Sequence, residues 1–205
     1  MLYLIRHAQP LSEHLTPDSR LPSDSDNVLT EFGVAQANRL AAEFAKIDSV
    51  RIFCSPLARS VQTARPIAAA LSLEIVFDDR LAERDHASAG ALTVQEWREI
   101  QDRNYADPST SLFGEETLVS QRNRVQSWFR DTEPCIRASL DQNLIVVCHG
   151  GTIEHLLSCI MGAAAENMVR YFFACDCASI CAIEPMLAED NRLVYRINAI
   201  NSTKC

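Results

Sequence analysis

LIVVCHGGT, residues 144–152, is the stretch on which the fold turns. The run Leu144 to Cys148 is apolar without interruption, and it stops at His149, Gly150 and Gly151. A short apolar run with no polar alternation is what a strand needs when both faces are covered, as in a parallel sheet flanked by helices. The two glycines then permit a sharp turn, and the segment that follows reads as a helix with Thr152 as its cap.

The same reading extends in both directions. MLYLI (1–5), VRIFC (50–54) and LEIVF (73–77) are runs of the same kind. CASICAIE (177–184) and RLVYRI (192–197), joined by a turn near Glu189-Asp190-Asn191, read as an antiparallel pair. Helix-like segments separate the strands. EFGVAQANRLAAEFAK (31–46) places Phe32, Ala35, Leu40 and Phe44 along one stripe. Residues 56–71 follow Ser55, an expected N-cap, and Pro56, an expected first helical residue. A further helix is expected from about 115 to 131, ending before Pro134. Strands alternating with helices predict an α/β fold: a mostly parallel central sheet, helices on both faces, and an antiparallel C-terminal extension. Residues 11–28 and 84–114 read as long irregular loops, and no linker divides the chain, so a single domain over 1–205 is expected.

Composition narrows the function. Of 205 residues, 47% are hydrophobic and 22% charged, a globular balance that excludes a disordered or fibrous chain. Acidic residues outnumber basic ones 27 to 19, for a net charge of −8. That sign argues against a nucleic acid or an anionic membrane as partner, while a few arginines in a cleft still suit a small anion. No run approaches the ~20 apolar residues of a membrane span, and Met1 to Arg6 carries no secretory signature. The eight cysteines lie mainly on apolar segments and read as reduced thiols of a cytoplasmic protein. Cys175, Cys177 and Cys181 lack a partner pair at zinc-site spacing and read as buried thiols in a strand. The expectation is no metal and no cofactor.

Three strand ends bear the polar groups: LYLI into Arg6-His7, IFC into Ser55-Pro56-Leu57-Ala58-Arg59, and VVC into His149-Gly150-Gly151. In a parallel sheet these ends share the carboxyl edge, where ligands bind. Two of them also open helices, whose free N–H groups favour an anion. Any one strand end with polar residues is ordinary in an α/β protein. Two arginines and two histidines converging from three of them make a cradle for a phosphate.

LIRHA (4–8), LTEFGVAQA (29–37), FCSPLARSVQTA (53–64), LAER (81–84) and VVCHGGTIEHLL (146–157), in that order and spacing, resemble the histidine phosphatase (phosphoglycerate mutase-like) superfamily. CASICAIE followed by INAIN is similar to that family's closing strands. The resemblance implies that His7 is a nucleophile forming a phosphohistidine, that Arg6, Arg59, His149 and Gly150 bind the phosphate with His149 also catalytic, and that Glu83 is the general acid and base. A proton on Glu83 near neutrality calls for burial and substrate charge to raise its pKa. Of the other histidines, His14 reads as an exposed loop residue and His155 as structural, while His86 suits either a loop or the pocket wall. Trp97 and Trp128 are expected to pack helices onto the sheet.

The sequence departs from the family pattern at Ala8, where glycine is usual, at Gln9-Pro10 and at Glu13. Ala8 adds strain if its φ is positive, Pro10 removes an N–H, and Glu13 repels a phosphate if it points inward. The resemblance implies a metal-independent phosphatase acting on a small phosphorylated substrate. Phosphoglycerate mutase-type transfer, a non-catalytic phospho-ligand binder and a phosphoprotein phosphatase are the alternatives. The oligomeric state is left open.

Overall fold

A computed structural model of the chain describes residues 1–84, 92–112, 114–164, 167, 169–170 and 172–203. Its strands are β1 (Leu2–Arg6), β2 (Ser49–Cys54), β3 (Ile75–Phe77), β4 (Asn143–Cys148), β5 (Ile180–Leu187) and β6 (Leu193–Ser202). They form one sheet in the order β3-β2-β4-β1-β5-β6. The first four run parallel, and β5 joins β1 antiparallel and returns through a hairpin as β6. The α/β architecture is therefore the one the sequence predicts, with a third strand shorter than its apolar run.

Successive strand residues face opposite sides of the sheet, so β1 and β4 supply two cores. Tyr3, Ile5, Ile145 and Val147 pack against α1 (Glu31–Phe44) and α2 (Ala58–Leu71). Leu2, Leu4, Leu144 and Val146 pack against α4 (Leu118–Ala138) and α5 (Gly150–Ile160) on the other face. Trp128 of α4 sets its ring edge-on to Phe53 of β2 at 5.4 Å, as expected of a residue that docks a helix on the sheet.

Several local expectations are corrected. The buried stripe of α1 is Gly33, Ala37, Leu40, Ala41 and Phe44, whereas Phe32 and Ala35 are exposed. Gly33 faces inward because a Cβ there would lie 2.2 Å from the Gln9 carbonyl oxygen. Helix α2 begins at Ala58 after Leu57, so Ser55 and Pro56 stay outside it. Helix α5 begins at Gly150 after His149, and the Thr152 hydroxyl donates instead to the Ala82 carbonyl at 2.9 Å. Helix α4 runs through Pro134, which sits on its exposed side, where the carbonyl left without a helical partner can reach water.

The stretch 84–114 contains a helix, α3 (Val94–Ala106), opened by a reciprocal cap between Thr93 and Glu96. Its approach is tied to the long polar loop: Leu21 N–H donates to Leu92 O and Val94 N–H to Ser19 O, each at 2.9 Å. The two segments thereby join into a roof over the carboxyl edge of the sheet.

Candidate active site

The parallel register sets the tips of β1, β4 and β2 side by side, with Arg6 opposite Cys148 and Cys54 opposite Val147. Beyond the last ladder bonds, His7 N–H donates to Cys148 O at 2.9 Å and Ser55 N–H to Val147 O at 3.0 Å. The chain before β5 closes the third side, where Ala178 N–H donates to the His7 carbonyl at 3.1 Å. The strand ends that the sequence singles out are thus brought together.

His7 is 4% exposed, and its Nδ1 lies 2.8 Å from the Ala8 carbonyl. A carbonyl only accepts, so in this contact Nδ1 bears the hydrogen and Nε2 keeps its lone pair. Burial, then the charges of Arg59 and Arg6, push the His7 pKa well below the ordinary histidine value, so the ring is neutral. His149 stands with its ring centroid 5.0 Å from that of His7 and is fully buried. Its Nε2 lies 2.7 Å from the Ser55 hydroxyl and 3.2 Å from that of Ser60. Its Nδ1 has no partner among the described residues. Burial and the neighbouring Arg59 keep this ring neutral as well. Ser55, read from sequence as a helix cap, instead orients His149. Ala8 has no positive φ and its N–H donates to the Thr63 hydroxyl at 2.9 Å, so the small side chain fits without strain.

Arg59 projects from the first turn of α2 and is 5% exposed. Its guanidinium donates to Asp24 at 2.7 Å. Arg6 donates to the Cys175 carbonyl at 2.7 Å and lies 3.6 Å from Glu13. The loop 11–28 therefore lays a carboxylate on each of these arginines, and Glu13 does face the site. Gly150 is the first residue of α5 and abuts Arg6, whose Nε would be 3.8 Å from an added Cβ.

Glu83 follows β3 and a single 3-10 turn, Asp79–Leu81. One carboxylate oxygen accepts from Gln121 Nε2 at 2.7 Å and from Arg84 N–H at 3.0 Å. The other accepts from Gly151 N–H at 3.1 Å, inside the first turn of α5. Gly151 is required there, because a Cβ would come within 2.7 Å of that carboxylate. Burial alone raises the Glu83 pKa, but the hydrogen bonds from Arg84 and Gln121, the charge of Arg59 and the Gly151 N–H together bring it below the ordinary value. Burial by itself is thus not enough to raise it: before substrate arrives, Glu83 is an ionised carboxylate.

Arg6, His7, Glu13, Asp24, Arg59 and Glu83 line a cavity of about 400 Å³ beneath the roof, whereas His149 and Gly150 are not among its described lining residues. Helix α3 contributes Trp97 and Tyr105, and α5 contributes Gly151, Glu154 and His155 at helical spacing. Trp97 belongs to the pocket wall and not to the sheet contact, with the Arg84 guanidinium stacked 4.8 Å above its ring. His155 is buried yet also reaches the cavity. His14 is exposed and pairs with the Gln9 side chain at 2.9 Å. His86 lies outside the described residues. The described cysteines are free thiols, and no group of three metal-ligating side chains occurs among the described residues. Asp24, Gln121 and Glu154 escape the sequence reading, since each matters through a partner far away in the chain.

A match to the family model of the histidine phosphatase superfamily, branch 1, extends over residues 2–198. The chain belongs to the histidine phosphatase superfamily. Among its relatives, this histidine phosphatase superfamily member is 29% identical to phosphoserine phosphatase 1 of Hydrogenobacter thermophilus, over 96% of this chain and 91% of that one. It is also 29% identical to a Proteus mirabilis protein named "Probable phosphoglycerate mutase GpmB", over 82% and 79% of the two chains. Its fold matches that of a mycobacterial glucosyl-3-phosphoglycerate phosphatase solved with VO3, with a TM-score of 0.82, 21% identity and 98% coverage of both chains. No helix among the described residues of this superfamily member is long and apolar enough to cross a membrane.

Proposed function

We propose that the protein, a single domain over 1–205, is a metal-independent phosphatase of small phosphomonoesters working through a phosphohistidine on His7. The observation that carries this reading is the Nδ1 contact with the Ala8 carbonyl, which leaves a neutral His7 with its Nε2 lone pair available for attack. The substrate phosphate displaces Asp24 and Glu13 from Arg59 and Arg6, which then hold its oxygens, with His149 and the start of α5 at Gly150 as further donors. Nε2 attacks phosphorus, the ester oxygen departs, and Glu83 gives it a proton.

Because Glu83 is ionised at rest, that proton arrives with the substrate. Placing the phosphate's negative charge beside the carboxylate raises its affinity for a proton delivered by a monoanionic ester. In the second half, Glu83 takes a proton from water, and the hydroxide formed attacks the phosphohistidine and releases phosphate. Mutase-type transfer is less well supported, because the described pocket lining holds four carboxylates against three arginines. That balance disfavours a substrate with both a phosphate and a carboxylate.

The test is p-nitrophenyl phosphate hydrolysis with chelator present, comparing wild type with His7→Ala. Turnover in the wild type alone is expected. No turnover in the wild type, or turnover that survives the substitution, would overturn the reading.

A further inference from the structure

Glu83 is carried by a segment with little regular structure of its own, a single 3-10 turn at Asp79–Leu81 behind the three-residue β3. Such a segment depends on other elements to take up its backbone polar groups. The carbonyls of Arg80, Ala82 and Glu83 all turn to one side chain, that of Arg124 in α4. Its Nη1 donates to Arg80 O and to Ala82 O at 2.8 Å each, and its Nη2 to Glu83 O at 3.1 Å. Nε and the second Nη2 hydrogen donate to the two carboxylate oxygens of Glu116, both at 2.7 Å. A guanidinium has five N–H donors, and here every one of them has an acceptor. The bidentate pair with Glu116 fixes the plane of the guanidinium, and the other donors hold the backbone that bears Glu83.

Position and orientation are therefore set from a single helix face. Gln121 donates to the Glu83 carboxylate, and Arg124, one turn on and on the same side of α4, holds the backbone behind it. Thr152 of α5 supports the same stretch through Ala82 O. Neither Arg124 nor Glu116 is among the described lining residues of the cavity. Any part that Arg124 takes in the reaction is therefore played through Glu83.

We infer that Arg124, held in place by Glu116, is a positioning residue for proton transfer: it fixes the backbone of Glu83 and with it the place of the carboxyl in the cavity. The inference rests on the phosphatase reading, in which Glu83 gives a proton to the departing ester oxygen and later takes one from water. Leaving groups separate this role from general support of the fold. p-Nitrophenoxide is stable as an anion and departs without a proton, whereas phenoxide gains from one and an alkoxide requires it. The ratio kcat/KM covers only the steps up to phosphohistidine formation, so it registers proton donation. By contrast, kcat also includes the attack of water, which is the same for every ester.

The test is kcat/KM for p-nitrophenyl, phenyl and n-propyl phosphate in the wild type and in Arg124→Lys, which keeps the charge but has three donors in place of five. Displacement of Glu83 by about 1 Å should lower the value for n-propyl phosphate by ~10- to 100-fold, that for phenyl phosphate by less, and that for p-nitrophenyl phosphate by no more than about threefold. In a Glu83→Gln background, Arg124→Lys should cost nothing further with phenyl or n-propyl phosphate, because the group it positions no longer donates. A loss of the same size with all three esters, no loss with any, or a loss that adds in full to that of Glu83→Gln would overturn the inference and leave the phosphatase reading standing. If Arg124→Lys does not fold, Glu116→Gln, which frees one edge of the guanidinium, is expected to show the same graded loss, and its absence there would overturn the inference in the same way. Absence of turnover with every ester in the wild type would remove the phosphatase reading, and this inference with it.

Discussion

Gly151→Ala sets catalysis against stability in one substitution. An added Cβ would lie 2.7 Å from a Glu83 carboxylate oxygen and 3.3 Å from Gln121 Nε2, where ordinary contact begins at 3.4 Å. The carboxylate cannot give way freely, because Gln121, Arg84 and Gly151 itself all donate to it at 3.1 Å or less. To clear the methyl it must release at least one of those bonds and move on the scale of half an ångström or more. Misplacing a reacting group by about 1 Å costs about 10²-fold in rate, so kcat for p-nitrophenyl phosphate is expected to fall by ~10- to 100-fold. Loss of a donor also raises the Glu83 pKa, and the acidic limb of the pH–rate profile should move to higher pH. Alanine meanwhile favours the helix by up to ~1 kcal/mol over glycine. Release of a hydrogen bond to the buried carboxylate costs about 1.5–3 kcal/mol, so the melting temperature should fall by only a few degrees while activity falls by ~10-fold or more. Full activity, or a loss accompanied by a large drop in melting temperature, would refute the assignment of Gly151 as the clearance for Glu83.

Asp24→Ala removes the carboxylate that rests on Arg59 at 2.7 Å. A half-exposed ion pair contributes about 1 kcal/mol, so inhibition by inorganic phosphate should strengthen roughly fivefold, and unchanged or weaker inhibition would show that Asp24 does not compete for the site. The buried histidines predict a pH dependence of stability. His7 and His149 stay neutral in the folded protein, whereas unfolded histidines take up protons below about pH 6.5. Falling pH thus favours unfolding, by up to ~1.4 kcal/mol per histidine for each unit below that value, and above it the contribution is constant. Glu154, whose carboxyl burial and the charge of Glu83 raise to about 7, opposes this trend by gaining a proton in the folded state as pH falls. The test is therefore the difference between variants: below about pH 6.5 the melting temperature of the wild type should fall relative to that of His149→Asn. A wild-type melting temperature that gains on that of the variant on acidification would contradict the neutral assignment.

What was legible in the sequence follows from how local each signal is. Arg6, His7, Arg59 and His149 sit at or just past the ends of apolar runs, so a strand reading places them together without knowledge of side-chain contacts. Glu83 lies in a charged stretch and emerges only through family resemblance. Its environment, set by Gln121 38 positions away and Gly151 68 positions away, reverses the pKa expected from burial alone. Helix α3 leaves little trace in the sequence because its buried face is thin: Trp97, Ile100 and the polar Asn104, which donates to Glu115 at 3.1 Å in place of an apolar contact. The Thr93-x-x-Glu96 cap was the available signal. Ser55 shows the opposite failure, where a strong local rule predicts a cap and the fold uses the hydroxyl to hold His149. Residues at which local preference and observed role part company are those a site recruits for chemistry. By the same reasoning Asp24 and Glu154 are carboxylates that neither strand pattern nor helix capping calls for. Both line the cavity, where a carboxylate acts on whatever anion enters and not on the packing of the core.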